Sequence, residues 1–570
     1  MSELFRTRHV PAVVAFALVT GVGLPAVSQP QVPGGGQSGT IEGQLRRPEA
    51  PLSTATPFMI ERPRPGQAPG TVKFLVRSIV VEGVTVLDKA TVDAVLARYT
   101  GRELTLADVS RAADDLTQLY SDAGYGLSFA AIPVQTVRDG VVRIVIVEGR
   151  IDQVSVTIKG RGALVGSDRI AQAVKARILR LADGTPVRSA RLERAVLGVA
   201  DLAGMRASVV VRPSASVEGA ADLVVEVSVD PLETSLSLDN RLRFEFGREG
   251  LTGWASANSV LTSGDSFEIY GRSAPRSNTY DFWSGRYETS VGATALRAYA
   301  SYSVAETTAR KGLLGALDFE GEEKSLRVGA RYPLIRSRRH SVFLQGEVWG
   351  ADSSSEALGL VLIKDRIRTV EFDVVSDWAS ASGASSLFKL GVISGLSGLG
   401  ATKADNPLAS RAAGVPDFLA LTARYFRDQP VGAGMRFKMN LDGQAMVEGS
   451  ALAPAECSYG GEWFGRAYDA GAIGGDQCLR ASAELSRPSR LSARLALEPY
   501  AFADGGWMSQ RGSLAPGEAR RTNAQSAGLG LRATFSHGIV LDVAAARPLQ
   551  PAYAEKGDQT RFYFSLGIRR

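Results

Sequence analysis

The chain has 570 residues, of which 45% are hydrophobic and 22% charged, so it is a folded protein rather than a disordered polymer. Its two cysteines exclude a disulfide-dense scaffold, and no apolar run after Pro25 approaches the roughly 18–20 residues that a membrane-spanning helix needs. The net charge of +6 is too weak to indicate a nucleic-acid partner. A mean hydropathy near zero is compatible with a membrane β-barrel, whose strands alternate apolar and polar residues.

The first 28 residues are typical of a secretory signal peptide. Arg6 and Arg8 precede an apolar stretch, Val10–Leu24, and Ala26-Val27-Ser28 has small residues where a signal peptidase reads them. The alternative is a short buried helix, which the proline and two glycines inside the apolar stretch disfavour. We therefore predict cleavage after Ser28 and export from the cytoplasm.

Residues 29–72 are predicted to be a periplasmic linker. They contain 8 Pro and 7 Gly, a composition that does not build a packed core. A weak helical pattern at about Thr40–Arg47 is the candidate for a short helix in this linker.

Residues 73–150 and 151–230 are predicted to form two α/β domains with one element order, β-α-α-β-β. In the first, Thr105 is the expected N-cap of a helix from Leu106 to Ala123, with Asp108 in its first turn. Two consecutive units of one order are an internal repeat. The other predicted elements are Phe74–Val81, Asp88–Tyr99, Leu127–Val134, Val141–Glu148, Ile151–Lys159, Ser167–Leu179, Ser189–Ala203, Met205–Pro213 and Ala221–Val229.

After Pro231 the helical periodicity is replaced by short alternating segments. In Met435–Asp442 every odd position is apolar and every even one polar, which gives a strand two unlike faces. Leu491–Asp504 is predicted to be a similar strand with Arg494, Glu498, Phe502 and Asp504 on its polar face. A sandwich strand alternates in the same way, but many such segments after a signal peptide favour an outer-membrane barrel. Residues 231–570 fit about 16 strands.

Three stretches of the first domain and three of the second resemble a POTRA domain, a periplasmic polypeptide-transport-associated module. The stretches are Ile79–Gly83, Tyr120–Tyr125, Val145–Gly149, Gly184–Val187, Leu192–Ala195 and Gly219–Leu223. Two such modules before a barrel resemble the two-partner secretion transporters of the haemolysin secretion/activation (ShlB/FhaC/HecB) family. The resemblance implies a transmembrane β-barrel of about 16 antiparallel strands, preceded by two α+β POTRA domains. It also implies location in the outer membrane of a Gram-negative bacterium, with the POTRA domains in the periplasm.

The segment Phe464-Gly465-Arg466-Ala467-Tyr468-Asp469, followed by Gly475-Asp476, is similar to the loop that folds into the barrel in this family. This loop spans about residues 453–479, and Ala467 stands where the family usually has glycine. Phe502-Ala503-Asp504 resembles the family's Phe-x-Asp motif on the barrel wall. The resemblance implies that Arg466 pairs with Asp504 in the lumen, and strand parity agrees. From the residues alone, two solvated polar side chains would be the simpler interpretation.

The two cysteines, Cys457 and Cys478, flank the Arg466 segment. Outside the cytoplasm they either form a disulfide, which would stabilise the fold by roughly 3 kcal/mol, or remain free thiols. An enzyme is not expected, because the mature chain has only His340 and His537 and lacks a zinc-ligand spacing, a P-loop and a dinucleotide fingerprint. No nucleotide or metal cofactor is predicted.

We expect the protein to export one large exoprotein of the haemolysin or adhesin type, captured unfolded by the POTRA domains. Added strands at Leu127–Val134 or Met205–Pro213 would bind it. The barrel would also contact outer-membrane lipid and lipopolysaccharide, and the barrel assembly machinery would recognise Phe562 and Phe564 near the terminal Arg569-Arg570. The alternatives are an insertion factor of the BamA or TamA kind, and a passive porin. Two POTRA modules favour the exporter.

Overall fold

The computed structural model describes residues 42–43, 58–60, 72–159, 165–214, 216–217, 220–514, 519–550 and 559–570. The predicted signal peptide lies outside these residues, as does most of the predicted linker. Within the described ranges, none of the helices has the length and apolarity to cross a membrane. The described chain forms two small α/β units followed by a closed barrel.

The first unit packs two helices against short strands. Its helix α2 begins with a capping box, as predicted: the Asp108 N–H donates to Thr105 Oγ1 at 3.2 Å, and the Thr105 N–H donates to the Asp108 carboxylate at 2.8 Å. The predicted strand Phe74–Val81 is wrong, because the chain changes partner at Arg77 and makes two strands. With β1 (Phe58–Ile60) preceding them, the elements are β2 Lys73–Val76, β3 Ser78–Glu82, α1 Lys89–Leu96, β4 Arg102–Thr105, α2 Leu106–Asp122, β5 Phe129–Ala131 and β6 Val141–Val147.

The second unit has the predicted order β-α-α-β-β, and the first has the same order with one addition, the antiparallel pair β2–β4. In the first unit β3 runs parallel and β5 antiparallel to β6, and in the second β7 runs parallel and β8 antiparallel to β9. The core of the second unit is fully apolar and includes Ile170, Val174, Leu192, Val225 and Val227. The elements are β7 Arg150–Lys159, α3 Ser167–Ile178, α4 Ser189–Ala200, β8 Met205–Pro213 and β9 Ala220–Val229.

Neither predicted edge strand is freely available. The edge of β8 is covered in part, because β1 adds to it in parallel, with Phe58 opposite Val209 and Ile60 opposite Val211. The other candidate, Leu127–Val134, shortens to the three-residue β5. Native sheets tend to cover the unpaired backbone N–H and C=O groups of their edge strands. Here the linker strand β1 covers those of β8 at Val209 to Val211.

The buried carboxylate of Glu148 links three parts of the first unit through hydrogen bonds. It accepts hydrogen bonds from the N–H and hydroxyl of Thr85, from the Val86 N–H at 3.0 Å and from the Tyr120 hydroxyl at 3.0 Å. Burial alone would raise the pKa of Glu148, but the hydrogen bonds from Thr85, Val86 and Tyr120 outweigh it and hold this pKa below its ordinary value of 4.5.

Replacing Glu148 with glutamine is expected to destabilise the first unit by about 1–3 kcal/mol, because the new amide turns a donor toward groups that are themselves donors. Since the folded-state pKa of Glu148 is depressed, its contribution is present above pH 4.5 and is lost as the pH falls through the folded-state pKa. Urea unfolding of segment 73–230 at several pH values measures both effects. The glutamine variant should lack this acid-dependent component, and an unchanged acid profile would contradict the assignment.

The described strands between residues 232 and 569 form a closed antiparallel barrel in which the first strand, β10, pairs with the last, β28. Seventeen strand segments build it, and two of them, β23 and β24, pair in succession with β25 as one interrupted strand, so the barrel has the predicted 16 strands. The wall segments are β10 Leu232–Asp239, β11 Gly250–Asn258, β12 Ser266–Ser273, β13 Tyr280–Ser290, β14 Arg297–Thr308, β15 Glu320–Arg336, β16 His340–Ala357, β17 Leu360–Ala379, β18 Ser385–Gly395, β19 Leu419–Gly432, β20 Met435–Glu448, β23 Gln477–Ser486, β24 Ser489–Ser492, β25 Leu495–Ser509, β26 Arg521–Phe535, β27 Ile539–Pro548 and β28 Arg561–Arg569, while helix α5 (Gly312–Ala316) lies between β14 and β15, and β21 Cys457–Tyr459 and β22 Ile473–Gly475 lie between β20 and β23.

The predicted single strand Leu491–Asp504 is wrong in its first part. The chain turns back between β24 and β25, so Arg494 lies in a turn. Because the alternation of apolar and polar residues continues through this turn, the sequence pattern did not indicate the turn. The parity is correct for the rest: Phe502 and Asp504 are buried inside, and their neighbour Ala503 is exposed.

The wall has an apolar outer face and a charged inner face. Outward side chains such as Leu326, Val348 and Phe372 are about half exposed, at 52%, 50% and 66%. Inward carboxylates such as Glu323 and Glu347 are each only 4% exposed. This is the arrangement of a barrel in lipid with a polar lumen.

The second α/β unit is bound to the rim of the barrel at which β10 begins and β28 ends. Arg336, at the end of β15, donates two hydrogen bonds to Asp201, at 2.9 and 2.7 Å. Arg297 donates to the Asp201 carbonyl at 2.8 Å, and Arg194 to the Pro333 carbonyl at 2.8 Å. A two-pronged arginine–carboxylate pair fixes orientation as well as distance, so the unit is held beside the lumen entrance.

Candidate transport channel and its inward-folding loop

The segment between β20 and β23, residues 449–476, folds into the lumen; we call it the inward loop. β21 and β22 pair within it. Its side chains form one buried apolar cluster with inward residues of the wall, which are Tyr500, Phe502, Met508, Ala524, Ala544, Ala546 and Tyr563. The predicted loop, residues 453–479, is too long at its end, because Leu479 belongs to the wall strand β23.

Arg466 is the main polar anchor of the inward loop. Its guanidinium donates to Asp504 from Nη2 at 2.8 Å and from Nε at 3.1 Å, and its backbone N–H donates to the same carboxylate at 2.9 Å. It also binds Glu484 at 2.8 Å and Ser482 at 3.1 Å. The guanidinium carbon lies 3.6 Å from the centre of the Phe502 ring. The expected contact between Arg466 and Asp504 is therefore present, and Glu484, from the Ala483-Glu484-Leu485 stretch that follows the motif, is a second carboxylate whose contact with Arg466 was not predicted.

The backbone on either side of Arg466 explains which residues this turn needs. Gly465 has φ 77°, and a Cβ atom at this position would lie 2.5 Å from the Tyr459 ring. Only glycine fits there. Ala467 has no positive φ and is 1% exposed, so an alanine is compatible with this turn in place of the family's usual glycine.

Tyr468 and Asp469 extend the anchor toward the closing seam of the barrel. The Tyr468 hydroxyl lies 2.9 Å from the Gln525 carbonyl on β26, to which it donates. Asp469 binds Arg561 on β28 at 2.8 Å and Arg248, between β10 and β11, at 3.3 Å. The predicted motif thus contacts wall strands from β23 to β28.

Asp476 joins the outer end of the inward loop to two neighbouring loops. Its carboxylate is fully buried and accepts hydrogen bonds from the Arg411 guanidinium at 2.8 Å, the Ala451 N–H at 2.6 Å and the Arg511 N–H at 2.7 Å. The Ser450 hydroxyl adds a bond at 3.1 Å. The sequence placed Asp476 in the motif, with Gly475 before it, but gave no sign of these partners.

Cys457 and Cys478 form a disulfide, with their Cα atoms 6.3 Å apart. Cys457 lies on β21 of the inward loop and Cys478 on the wall strand β23. The bond therefore attaches the loop to the wall. This adds a covalent contact to the polar ones.

A second segment enters the lumen from the linker. Glu42 and Gly43 are helical, and they are the described part of the helix predicted at 40–47. Glu42 accepts hydrogen bonds from Ser325 at 2.7 Å and from Arg327 at 3.1 Å. Arg327 also binds Glu347 at 2.6 Å. Both the inward loop and this segment thus contact the inner wall.

The family match comes from residues 219–533, which fit the model of haemolysin secretion/activation protein ShlB/FhaC/HecB over more than half of the chain. The chain belongs to this family. Residues 74–149 in addition match the ShlB-type POTRA domain. As a ShlB/FhaC/HecB protein it is an outer-membrane transporter of two-partner secretion with a periplasmic POTRA region, and it acts with a large secreted exoprotein.

Individual relatives agree with membership in the ShlB/FhaC/HecB family. The heme/hemopexin transporter protein HuxB of Haemophilus influenzae strain 86-028NP is 20% identical over 483 residues, which cover 83% of this chain and 82% of HuxB. The structure of CdiB from Escherichia coli has a TM-score of 0.69 at 20% identity, covering 89% of this chain and 93% of CdiB. CdiB from Acinetobacter baumannii has a TM-score of 0.61 at 15% identity and covers 94% of each chain. The last two show a shared fold.

Proposed function

We propose that the two periplasmic units capture the exoprotein as an extended, unfolded chain, and that the barrel passes it to the surface when the inward loop moves aside. The second unit, residues 151–230, acts here as a second POTRA domain. The observation that carries the proposal is the β8 edge, which holds an extended strand, β1, in parallel register. An edge that binds one strand through main-chain hydrogen bonds suits a partner of unspecified sequence.

The β1 strand is a weak occupant of this edge. It opposes three residues, Val209 to Val211, of the nine in β8. Each main-chain hydrogen bond contributes only about 0.5–1.5 kcal/mol net, so a longer extended segment of the exoprotein can displace it. Residues Met205–Ser208 offer further edge positions for such a segment.

The edges of the first unit are less suited to this task. The Ala130 N–H of β5 donates to Thr117 Oγ1 at 2.9 Å. Beyond β5, the Gln135 side-chain amide bonds both the N–H and the carbonyl of Arg143 on β6, at 2.8 and 2.7 Å. We therefore assign the strand-binding step of capture to β8 of the second unit.

A disulfide between β1 and β8 is expected to block secretion. Met59 lies opposite Val210, so the pair Met59→Cys and Val210→Cys can be oxidised across the two strands. The matched control is Ser155→Cys with Val224→Cys, which locks the neighbouring parallel pair β7–β9 and leaves the β8 edge as it is. Secretion should stop only in the first oxidised variant and return on reduction. Normal export with β1 locked would refute capture at β8.

In the lumen, we assign the resting closure of the channel to Phe464, Gly465, Arg466, Tyr468 and Asp469, with Gly475 and Asp476 at its outer end and Phe502 and Asp504 on the wall. The contacts of Arg466 and Asp476 support this assignment. His340 and His537 lie exposed at the rim of the barrel, where each contacts a serine. Within the described chain, no group of histidine, cysteine and acidic residues could hold a metal ion.

The proposal extends to the export and assembly of the protein. We propose that residues 1–28 are removed on export and that the barrel assembly machinery recognises the last strand. Phe562 and Phe564 face outward on β28 and are 74% and 37% exposed, which supports such recognition.

A further inference from the structure

Three basic residues rise along the outer face of β17. Lys364, Arg366 and Arg368 occupy alternate positions, so they lie on one face of the strand. The next outward residues on this face are Val370 and Phe372, with Phe372 66% exposed to the surroundings of the barrel. The basic row thus begins where the apolar outer face ends, on the extracellular side.

The neighbouring strands place the same boundary at the same height. Arg366 lies opposite Asp352 of β16, and Asp352 lies opposite Lys324 of β15. Below them, Val370 lies opposite Val348. The change from apolar to charged side chains is therefore shared by three adjacent strands, as at the headgroup level of a membrane.

The loop between β18 and β19, residues 396–418, folds against this end of β17; we call it the outer loop. The Thr402 N–H donates to the Arg366 carbonyl at 2.9 Å, and the Arg366 N–H donates to Thr402 Oγ1 at 2.7 Å. The Lys364 N–H donates to the Leu408 carbonyl at 2.7 Å. These bonds fix the backbone of Lys364 and Arg366, which extend past the end of β18.

A cavity of about 660 Å³ lies between the outer loop and β17; we call it the basic cavity. It is lined by Lys364, Arg366, Lys403 and Asp405 among others, three cations against one carboxylate. Within the described residues, the ammonium groups of Lys364 and Lys403 have neither an ion pair nor a hydrogen bond. Two strongly hydrated cations thus face a preformed space.

The guanidinium of Arg368, just below the basic cavity, already has partners within the protein. It binds Asp352 at 2.7 Å and donates from Nε to the Leu399 carbonyl at 3.1 Å. Arg366 reaches Asp352 only at 3.7 Å. The groups available to a ligand are therefore Lys364, Lys403 and the outer part of Arg366.

We propose that the basic cavity binds a phosphate of lipid A, the phosphorylated glycolipid of the outer leaflet. Lys364, Lys403 and Arg366 supply the positive charge for the phosphate. The apolar face with Val370 and Phe372 lies directly beneath, where the acyl chains of the same molecule pass. A free phosphate ion would use the cations and not the apolar face. This site goes beyond the transport function and does not depend on how the exoprotein is captured.

The test measures lipid A bound to the full-length protein in detergent by native mass spectrometry. The double variant Lys364→Gln with Arg366→Gln is expected to bind bisphosphorylated lipid A about tenfold more weakly. Each basic residue at a membrane surface strengthens the binding of an anionic lipid, and the variant removes two of the three cations of the cavity. The matched control is Arg490→Gln with Arg494→Gln, an equal charge change at exposed positions on the periplasmic rim. It should bind lipid A as the unmodified protein does.

Two further probes separate the sources of the phosphate. Dephosphorylated lipid A should bind the unmodified protein about as weakly as lipid A binds the double variant, and inorganic phosphate at millimolar concentration should leave lipid A bound. Full displacement by inorganic phosphate would overturn the proposal, as would equal losses in the two double variants or none. If the double variant does not assemble, Lys364→Gln alone decides, because its ammonium has no partner in the described fold to lose.

Discussion

Replacing Arg466 with alanine is expected to lower secretion at least about tenfold while the barrel still assembles. The change leaves Asp504 and Glu484 in the lumen without the cation that binds both of them. Removing one partner of a buried ion pair costs about 3–5 kcal/mol, which is enough to displace the inward loop. Secretion is expected to fall because a loop without this anchor no longer moves between two defined positions and obstructs the path of the exoprotein. A secretion assay measures the effect, and heat-modifiable gel mobility reports whether the barrel has folded.

The control for Arg466 is Arg286→Ala, another arginine of the lumen. Arg286 binds Glu288 on its own strand and stacks on Tyr299 at 3.9 Å, and neither partner belongs to the inward loop. Its loss should leave secretion near normal. Asp504→Ala should resemble Arg466→Ala, and the double variant should be no worse than the more severe single one, because the two residues act together. Additive losses would remove the pair from the mechanism.

Replacing Asp476 with alanine is expected to open the outer mouth of the barrel. Its buried carboxylate joins Arg411 of the outer loop, Ala451 of the inward loop and the backbone of Arg511 in the loop after β25. Loss of the carboxylate leaves the N–H groups of Ala451 and Arg511 without this acceptor and removes one of the two carboxylates that bind Arg411, the other being Glu456, at a cost of several kcal/mol. Conductance of the purified protein in planar bilayers should rise, by roughly tenfold in the fraction of time open.

The matched control is Asp417→Ala, which removes an exposed carboxylate from the outer loop. Its conductance should equal that of the unmodified protein. If Asp476→Ala remained as closed as this control, the joint between the three loops would have no part in closure.

Patterns that depend on side chains were readable in the sequence. Helix α2 was predicted from its cap at Thr105, and the inward direction of Asp504 followed from strand parity. The closeness of Arg466 and Asp504 came from two motifs of a known family, and the structure brings them together. Contacts made by the backbone left no such signal.

The features that could not be predicted from the sequence depend on backbone contacts or on which segments pack together. β1 lies in a proline-rich segment and joins β8 through main-chain bonds, so nothing in its composition marked it. The turn at Arg494 preserves the alternation of the strands on either side. The contact of Glu484 with Arg466 was not predicted, because it depends on which loop is folded against this strand.

The attachment of Cys457 to the wall limits how the channel can open. Arg466 is nine positions after Cys457, so even a fully extended chain lets it travel no more than about 30 Å from that point. The fixed point lies on β23 beside the extracellular rim. We therefore expect the inward loop to move outward with the departing exoprotein while Arg466 stays within about 30 Å of its attachment to the wall. After each passage, the attached loop can return to the lumen from the extracellular side.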